Sequence, residues 1–365
     1  YSYDALNRMT QKQSSQSGSP VYAYQYDTCL NGKGRLCSTQ RNGAADDQFT
    51  YDARGRLASR LIAGTSGAFG YAYRPGGQLQ TLTYPTGRSV AYSYDAQGRI
   101  SQVATQALGG SPVTLLAKNF AYYPYGPAKS FTYGNNKYFQ IGLNRDYRLD
   151  SFFDGPNSNT HDWNPDGTLS RLGTSRGTQH VDIPYTYDAT GRLVSAIDNG
   201  AGGFGSLAWT YDKNGNRQSE TRNAGTMPYV YSPPNWLYQK GSETRPRTAN
   251  GNTASFGTAS FAYDGFNRLV TSTTASETTT YSYNALGERI KKINQNGLST
   301  VFHSGPNDEL LYERNQAGNT KEYVWLDGRP LARIDNQTSI YTYHVDRLGT
   351  PQAMTDSSGT TVWKA

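Results

Sequence analysis

Two cysteines and four histidines are all that 365 residues provide, and each shortage closes a class of function. The histidines at 161, 180, 303 and 344 form no His-x-x-x-His pair, and there is no Cys-x-x-Cys. Both are common zinc spacings, so no metal and no other cofactor is expected. A membrane helix needs about 20 consecutive apolar residues; the run Pro112–Ala117 is among the longest here. Charged residues make up 17 %, against about 25 % in a typical soluble domain. Strong helix formers are sparse, which argues against a helical bundle. Aromatics at 13 % are too many for a disordered chain. The strict glycine period of collagen is missing. Net charge is +7, but the arginines are scattered and the longest basic pair is Lys291-Lys292. Nucleic-acid binders cluster their cations, so no nucleic-acid partner is expected. The glycine-rich stretch 200–205 lacks the Lys-Ser/Thr of a phosphate loop. The chain opens on Tyr1, inside what proves to be a repeat, and is read as a fragment of a longer protein.

What the sequence has in excess is tyrosine, 30 residues, and glycine, 39 residues. Both fall into a repeat. Seven segments fit aromatic-x-Tyr-(Asp/Asn)-x-x-(Gly/Asn): Tyr1–Asn7, Phe49–Gly55, Tyr92–Gly98, Tyr185–Gly191, Trp209–Gly215, Phe261–Asn267 and Tyr281–Gly287. Their spacing corresponds to multiples of a unit of roughly 20–26 residues, the signature of a repeat architecture. Degenerate copies fill gaps at Tyr24–Asp27, Tyr71–Gly77, His161–Gly167, Tyr229–Ser232, Tyr323–Gly328 and Tyr341–Gly349.

Each unit has a physical reading. Aromatic-x-Tyr has period 2, so both rings lie on one face of a strand. Asp at the first turn position and Gly at the fourth suit a type I turn followed by a left-handed residue. Asn replaces Gly at Asn7 and Asn267, and Asn is the other residue that tolerates that conformation. The prediction is a three-residue hairpin loop closed by a glycine bulge. Its register pairs Asp52 with Arg56, Asp95 with Arg99, Asp188 with Arg192 and Asp264 with Arg268. One step outward, Tyr51 faces Leu57, Tyr94 faces Ile100, Tyr187 faces Leu193 and Tyr263 faces Leu269. Gly55, Gly98 and Gly191 close three of these turns. Two copies, Asn284–Glu288 and Asp212–Asn216, lack the charge pair.

One such hairpin is marginal alone; stacked hairpins bury a shared aromatic ladder. The expected fold class is all-β: stacked antiparallel hairpins, about thirty strands, in one large sheet. Sheets beyond about 10 strands curl or split, so the ribbon should spiral into a shell. Residues 104–130 and 223–260, the latter with Pro233-Pro234, are irregular and read as long loops or worn repeats. Residues 271–280 read as strand and turn.

The Tyr-Asp-x-x-Gly-Arg-Leu units resemble those of the RHS, or YD-repeat, family. A second match lies near the C-terminus: Tyr343-His344-Val345-Asp346-Arg347-Leu348-Gly349-Thr350-Pro351, then Met354-Thr355-Asp356, Gly359 and Val362-Trp363. It is similar to the start of the RHS-associated core, which implies repeats over 1–340 and core from 341 to 365. The resemblance implies a hollow β-cocoon that encloses a C-terminal toxin in secreted bacterial effectors and insecticidal toxin complexes; animal teneurins carry a related shell. It implies as partners the protein's own C-terminal toxin as cargo, the remaining shell repeats, and a spike or adaptor of a secretion system such as type VI. An aspartyl autoprotease motif follows the core in bacterial members. Asp346 and Asp356 do not match it, so no catalytic residue is carried over.

The other candidate sites have plain readings. His344 is expected to be structural, and His161 stands for the first aromatic of a repeat. The adjacent acids Asp46-Asp47 are expected in a solvated loop before a strand. Cys29 and Cys37 flank an expanded repeat turn; a cross-hairpin disulfide, fitting an oxidising destination, and two free thiols are both open. The leading function is an encapsulation shell, secreted or at the cell surface. The alternative is a teneurin-like adhesion or carbohydrate-binding surface; a hydrolase has no constellation to support it.

Overall fold

A computed structural model describes residues 1–365 except Ser66, Ser111, Gly177, Thr178 and Pro234. The described residues form 35 strands and no helix. Each strand pairs antiparallel with the next in sequence, giving one sheet of 23 strands and one of 12. The ribbon breaks once, between the strands Glu243–Thr244 and Ser255–Phe256. Residues 104–130 are worn repeats rather than a loop: the strands Ile100–Gln106, Thr114–Tyr122 and Ala128–Tyr133 cross them, with Ser111 outside the described residues. Residues 223–260 hold the strands Gly225–Ser232 and Trp236–Lys240 and the break itself; Pro234 lies outside the described residues. Leu269–Thr273 and Thr278–Tyr283 are strands joined by a turn, as expected for the threonine-rich stretch.

The hairpin reading holds in detail. Tyr51 pairs with Leu57, Tyr94 with Ile100, Tyr187 with Leu193 and Tyr263 with Leu269. The Asp52 N–H donates to the Arg56 carbonyl at 2.9 Å, and Gly55 N–H to the Asp52 carbonyl at 2.8 Å. Gly55 has φ +76°, and Asn7 and Asn267 have φ 59° and 61°. The turn Asp–Arg pairs form at 2.7 Å for Asp52–Arg56, 2.8 Å for Asp95–Arg99, 2.7 Å for Asp188–Arg192 and 2.6 Å for Asp264–Arg268. The backbone N–H and then the guanidinium of the turn arginine hold Asp52 and Asp95 below the usual carboxylate range; at Asp188 the Arg192 N–H is followed by the Thr190 hydroxyl and then the guanidinium.

Neighbouring units are joined by the same two residues. The repeat tyrosine reaches backward: the Tyr51, Tyr94, Tyr187 and Tyr211 hydroxyls donate to the carbonyls of Leu36, Leu79, Leu169 and Leu193 at 2.6–2.9 Å. Tyr263 does the same to Thr253 at 2.9 Å. The arginine reaches forward. Arg56 lies 4.6 Å over the Tyr73 ring, Arg99 4.5 Å over Tyr122 and Arg192 4.9 Å over Tyr211. This explains why the third position of the seven repeats is always Tyr while the first varies among Tyr, Phe and Trp: the tether to the preceding unit needs a hydroxyl at the third. Tyr187→Phe removes that bond and little else. It is expected to cost about 0.5–1.5 kcal/mol, read as a lower urea midpoint at unchanged slope; an unmoved midpoint would show that the tether contributes nothing.

The second sheet does not continue the first outward. It returns and packs on it, after 190 to 261 residues of chain. The main core lies between the two coils. The first coil gives Phe69, Val90, Val103, Leu116, Phe131 and Phe152; the second gives Leu311, Val324, Leu331 and Ile334. Within the first coil, Phe120, Phe131 and Phe139 stack on adjacent strands at 4.9 and 4.6 Å. The ribbon thus curls into a spiral with two layers where its coils overlap.

Candidate functional site

The chemistry of this protein is concentrated where the second coil meets the first. Three clusters of buried polar side chains join coils there, and we call them latches.

The first latch corrects an expectation. Asp46 and Asp47 are not in a solvated loop. They lie within the strand Ala44–Tyr51, and Asp47 is 0 % exposed. Their turn-like neighbours Asn42-Gly43 immediately precede that strand, and the second coil covers both carboxyls. Asp47 Oδ1 pairs with Arg60 Nε at 2.9 Å. Arg60 also donates Nη1 to Glu288 Oε1 at 3.0 Å and to the Ser304 carbonyl at 3.1 Å, and Nη2 to Glu288. Asn284 Nδ2 bridges Asp47 at 3.1 Å and Glu288 at 2.6 Å. Asp46 accepts the Ala285 N–H at 2.8 Å. Burial pushes both Asp46 and Asp47 above the usual carboxylate range. Beside them, the Tyr24 hydroxyl donates to the Ala285 carbonyl at 2.7 Å.

The middle latch centres on Arg88 and Glu322, an ion pair at 3.0 Å outside hydrogen-bond geometry. Thr86 donates to Glu322, and Arg88 to Thr105 at 3.1 Å and to the Gln337 carbonyl. Burial raises the Glu322 carboxyl, against Thr86 and Arg88. The Tyr84 and Tyr92 hydroxyls donate to the carbonyls of Tyr323 and Trp325 at 2.7 and 3.0 Å.

The third latch holds the C-terminal motif. His344 is fully buried. Its Nδ1 lies 2.8 Å from Asp154 Oδ1 and its Nε2 2.8 Å from Thr355 Oγ1. Asp154 also accepts the Tyr133 hydroxyl at 2.8 Å and the Val345 N–H at 2.9 Å. Asn135 donates to Thr355 Oγ1 at 2.8 Å and to the Asp356 carbonyl at 2.9 Å. Carboxylate, imidazole and hydroxyl stand in the order of a nucleophile relay. Here all three are 0 % exposed and the hydroxyl is bonded by Asn135, so no outside substrate reaches it. The arrangement fastens one coil to the other.

The remaining motif residues build turns and strands around this latch. Asp346 accepts the N–H groups of Leu348 and Thr350 at 2.8 and 2.9 Å, and Gly349 closes the turn at φ +87°. Tyr343 pairs with Met354, Pro351 with Val345 and Trp363 with Met354. His161 is buried and stacks at 6.5 Å on Trp163. Cys29 and Cys37 are bonded across the expanded turn, with Cα atoms 5.3 Å apart. Among the described residues, no group of three or more His, Cys, Asp or Glu could hold a metal ion.

Sequence reasoning placed the turns and missed the latches. One signal was present. In the unit whose Asp–Arg pair is replaced by Asn284–Glu288, the turn packs on the first coil, where Arg60 supplies the missing cation. Asp212–Asn216, the other exception, keeps its bond within the turn at 2.9 Å.

A family model described as the Teneurin YD-shell matches residues 26–107 and 167–365. The chain belongs to the teneurin YD-shell family. It is a segment of a YD shell: repeats make the wall, and the latches fix coil on coil. Among curated proteins it is similar to the tRNA nuclease WapA of Bacillus subtilis strain 168, 29 % identical over 166 residues. That match covers 43 % of this chain and 7 % of the relative. The tRNA3(Ser)-specific nuclease WapA of Bacillus spizizenii gives the same figures. Among solved structures, a chain of the Photorhabdus luminescens Tc holotoxin pore superposes with TM-score 0.68 over 95 % of this chain, at 15 % identity. TcdB2-TccC3 does so with TM-score 0.68 over 94 %, at 14 % identity. This YD shell segment spans 22 % and 23 % of those two chains. At such identity the likeness is one of fold.

Proposed function

We propose that this chain is part of a shell that encloses a C-terminal toxin domain of the same polypeptide in an exported bacterial protein. The observation that carries this reading is the set of latches. They close a curled sheet on itself through buried side chains of residues 190 to 261 apart, which a flat adhesive surface does not require. The division into repeats over 1–340 and core from 341 belongs to this proposal, as do further shell repeats and a secretion spike or adaptor as partners. A disulfide between Cys29 and Cys37 fits an exported protein. The mechanism is confinement: the wall separates cargo from the cell until release, and the segment itself performs no reaction. The nuclease activity in the names of the WapA relatives is not assigned to this segment, which matches 7 % of them. The adhesive or carbohydrate-binding alternative is less supported, because repeat tyrosines are engaged with the preceding unit and covered by arginines.

The test is protease protection of the toxin region in the full-length protein. It should resist digestion in the wild type and become cleavable when Asp154→Ala and Arg60→Leu are combined. Equal cleavage in both would overturn encapsulation.

A further inference from the structure

His303 lies next to the first latch and, unlike the latch residues, holds nothing. It lies in the strand Ser299–Ser304, is 2 % exposed, and neither ring nitrogen has a hydrogen-bond partner. Its ring stacks on Tyr312 at 5.6 Å and meets Phe69 of the first coil edge-on at 6.1 Å. The next residue, Ser304, gives its carbonyl to Arg60. A neutral imidazole is tolerated there, because aromatic rings surround it. An imidazolium is not, since it would be stripped of water with the Arg60 guanidinium acting against it.

We propose that His303 makes the contact between the coils acid-labile: protonation sets a second cation beside Arg60 and loosens the first latch while strands remote from it keep their pairing. The groups that face this region are Arg60 with Asp47 and Glu288, Tyr71 and Phe69 on the strand Phe69–Tyr73, Tyr84, Tyr312, and Glu309 in the turn before the strand Leu310–Asn315. Burial, then Arg60, lowers His303 to about 4 from the usual 6.5. A base whose folded value is depressed binds fewer protons folded than unfolded between those two values. Its stabilising contribution is whole above about 6.5 and is lost as pH falls toward 4. The raised carboxyls of Asp46, Asp47 and Glu322 act in the opposite sense, so only a His303 variant isolates the effect. The device concerns the contact between coils, not what they enclose. Failure of the protease-protection test would leave it standing.

The experiment is hydrogen exchange of the 365-residue chain at pH 7 and pH 4.5, with His303→Phe and His303→Gln alongside. In the wild type, opening of the strands around residues 44–73 and 299–315 should rise on the order of tens-fold at pH 4.5 beyond the rise in either variant. Strands around residues 179–222 should respond alike in all three. Equal acid responses in wild type and variants overturn the proposal, as does acid opening spread evenly over both regions. If neither variant folds, titration of the His303 ring signal in the wild type decides: a midpoint near 6.5 overturns it, and one near 4 upholds it.

Discussion

Asp154→Ala is expected to detach the end of the second coil from the first. The carboxylate is 0 % exposed and receives three donors, the Tyr133 hydroxyl, His344 Nδ1 and the Val345 N–H. Alanine leaves all three donors without an acceptor in a place water does not reach. Unmet buried donors cost about 1–3 kcal/mol each, and opening a buried charged network about 3–5 kcal/mol in sum, since the site relaxes. Collapse into the gap is restricted, because Gly155 sits so close that a Cβ on it would clash with the His344 ring. The loss should fall on one contact. Exchange at residues 339–364 should approach that of an open strand, while residues 179–222 keep their protection. Uniform weakening of the whole chain would show that Asp154 is not a latch. Asp154→Asn should recover only part of the loss, because its amide nitrogen donates where an acceptor is wanted.

The second large effect concerns Arg60. Arg60→Leu fills much of the space and strands two carboxylates, Asp47 and Glu288, against a buried face. Removing one partner of a buried pair costs about 3–5 kcal/mol. Asp47 is already raised by burial and held down by Arg60; without Arg60 it should rise further. A carboxyl whose folded value is raised destabilises most above that value, and the penalty fades as the pH falls through it. Arg60→Leu should therefore regain stability on mild acidification, opposite to the His303 effect. Denaturant midpoints at pH 7 and pH 5 measure both. Adding Asp47→Asn to Arg60→Leu should restore part of the loss at pH 7, giving a coupling above about 1 kcal/mol. Strict additivity would mean the pair does not act as one.

Much of the wall was legible in the sequence. A repeat of aromatic-x-Tyr-Asp-x-x-Gly-Arg-Leu carries its own turn, register and cross-strand pairs within about ten residues, and local rules suffice for each. Tyr51–Leu57 and Asp52–Arg56 pair as expected. Asp46-Asp47 was misread because alternation and neighbours could not reveal a second layer. Two acids in a row look solvated unless a cation from another strand and backbone donors from a distant turn are supplied. Arg60 was passed over for the same reason, being an arginine outside any turn. The substitution at Asn284–Glu288 was visible, but its meaning depended on Arg60 lying opposite.

The excess of tyrosine and glycine decided the building block: hairpins joined by a hydroxyl reaching back and a guanidinium reaching forward. Where the ribbon meets itself was decided only in three dimensions. Small twists summed over many strands set the path of the coil, and no local pattern records that sum. Asp52 and Asp154 are the same residue type near similar hairpins. One caps its own turn, and the other, because a coil returns above it, holds the shell together.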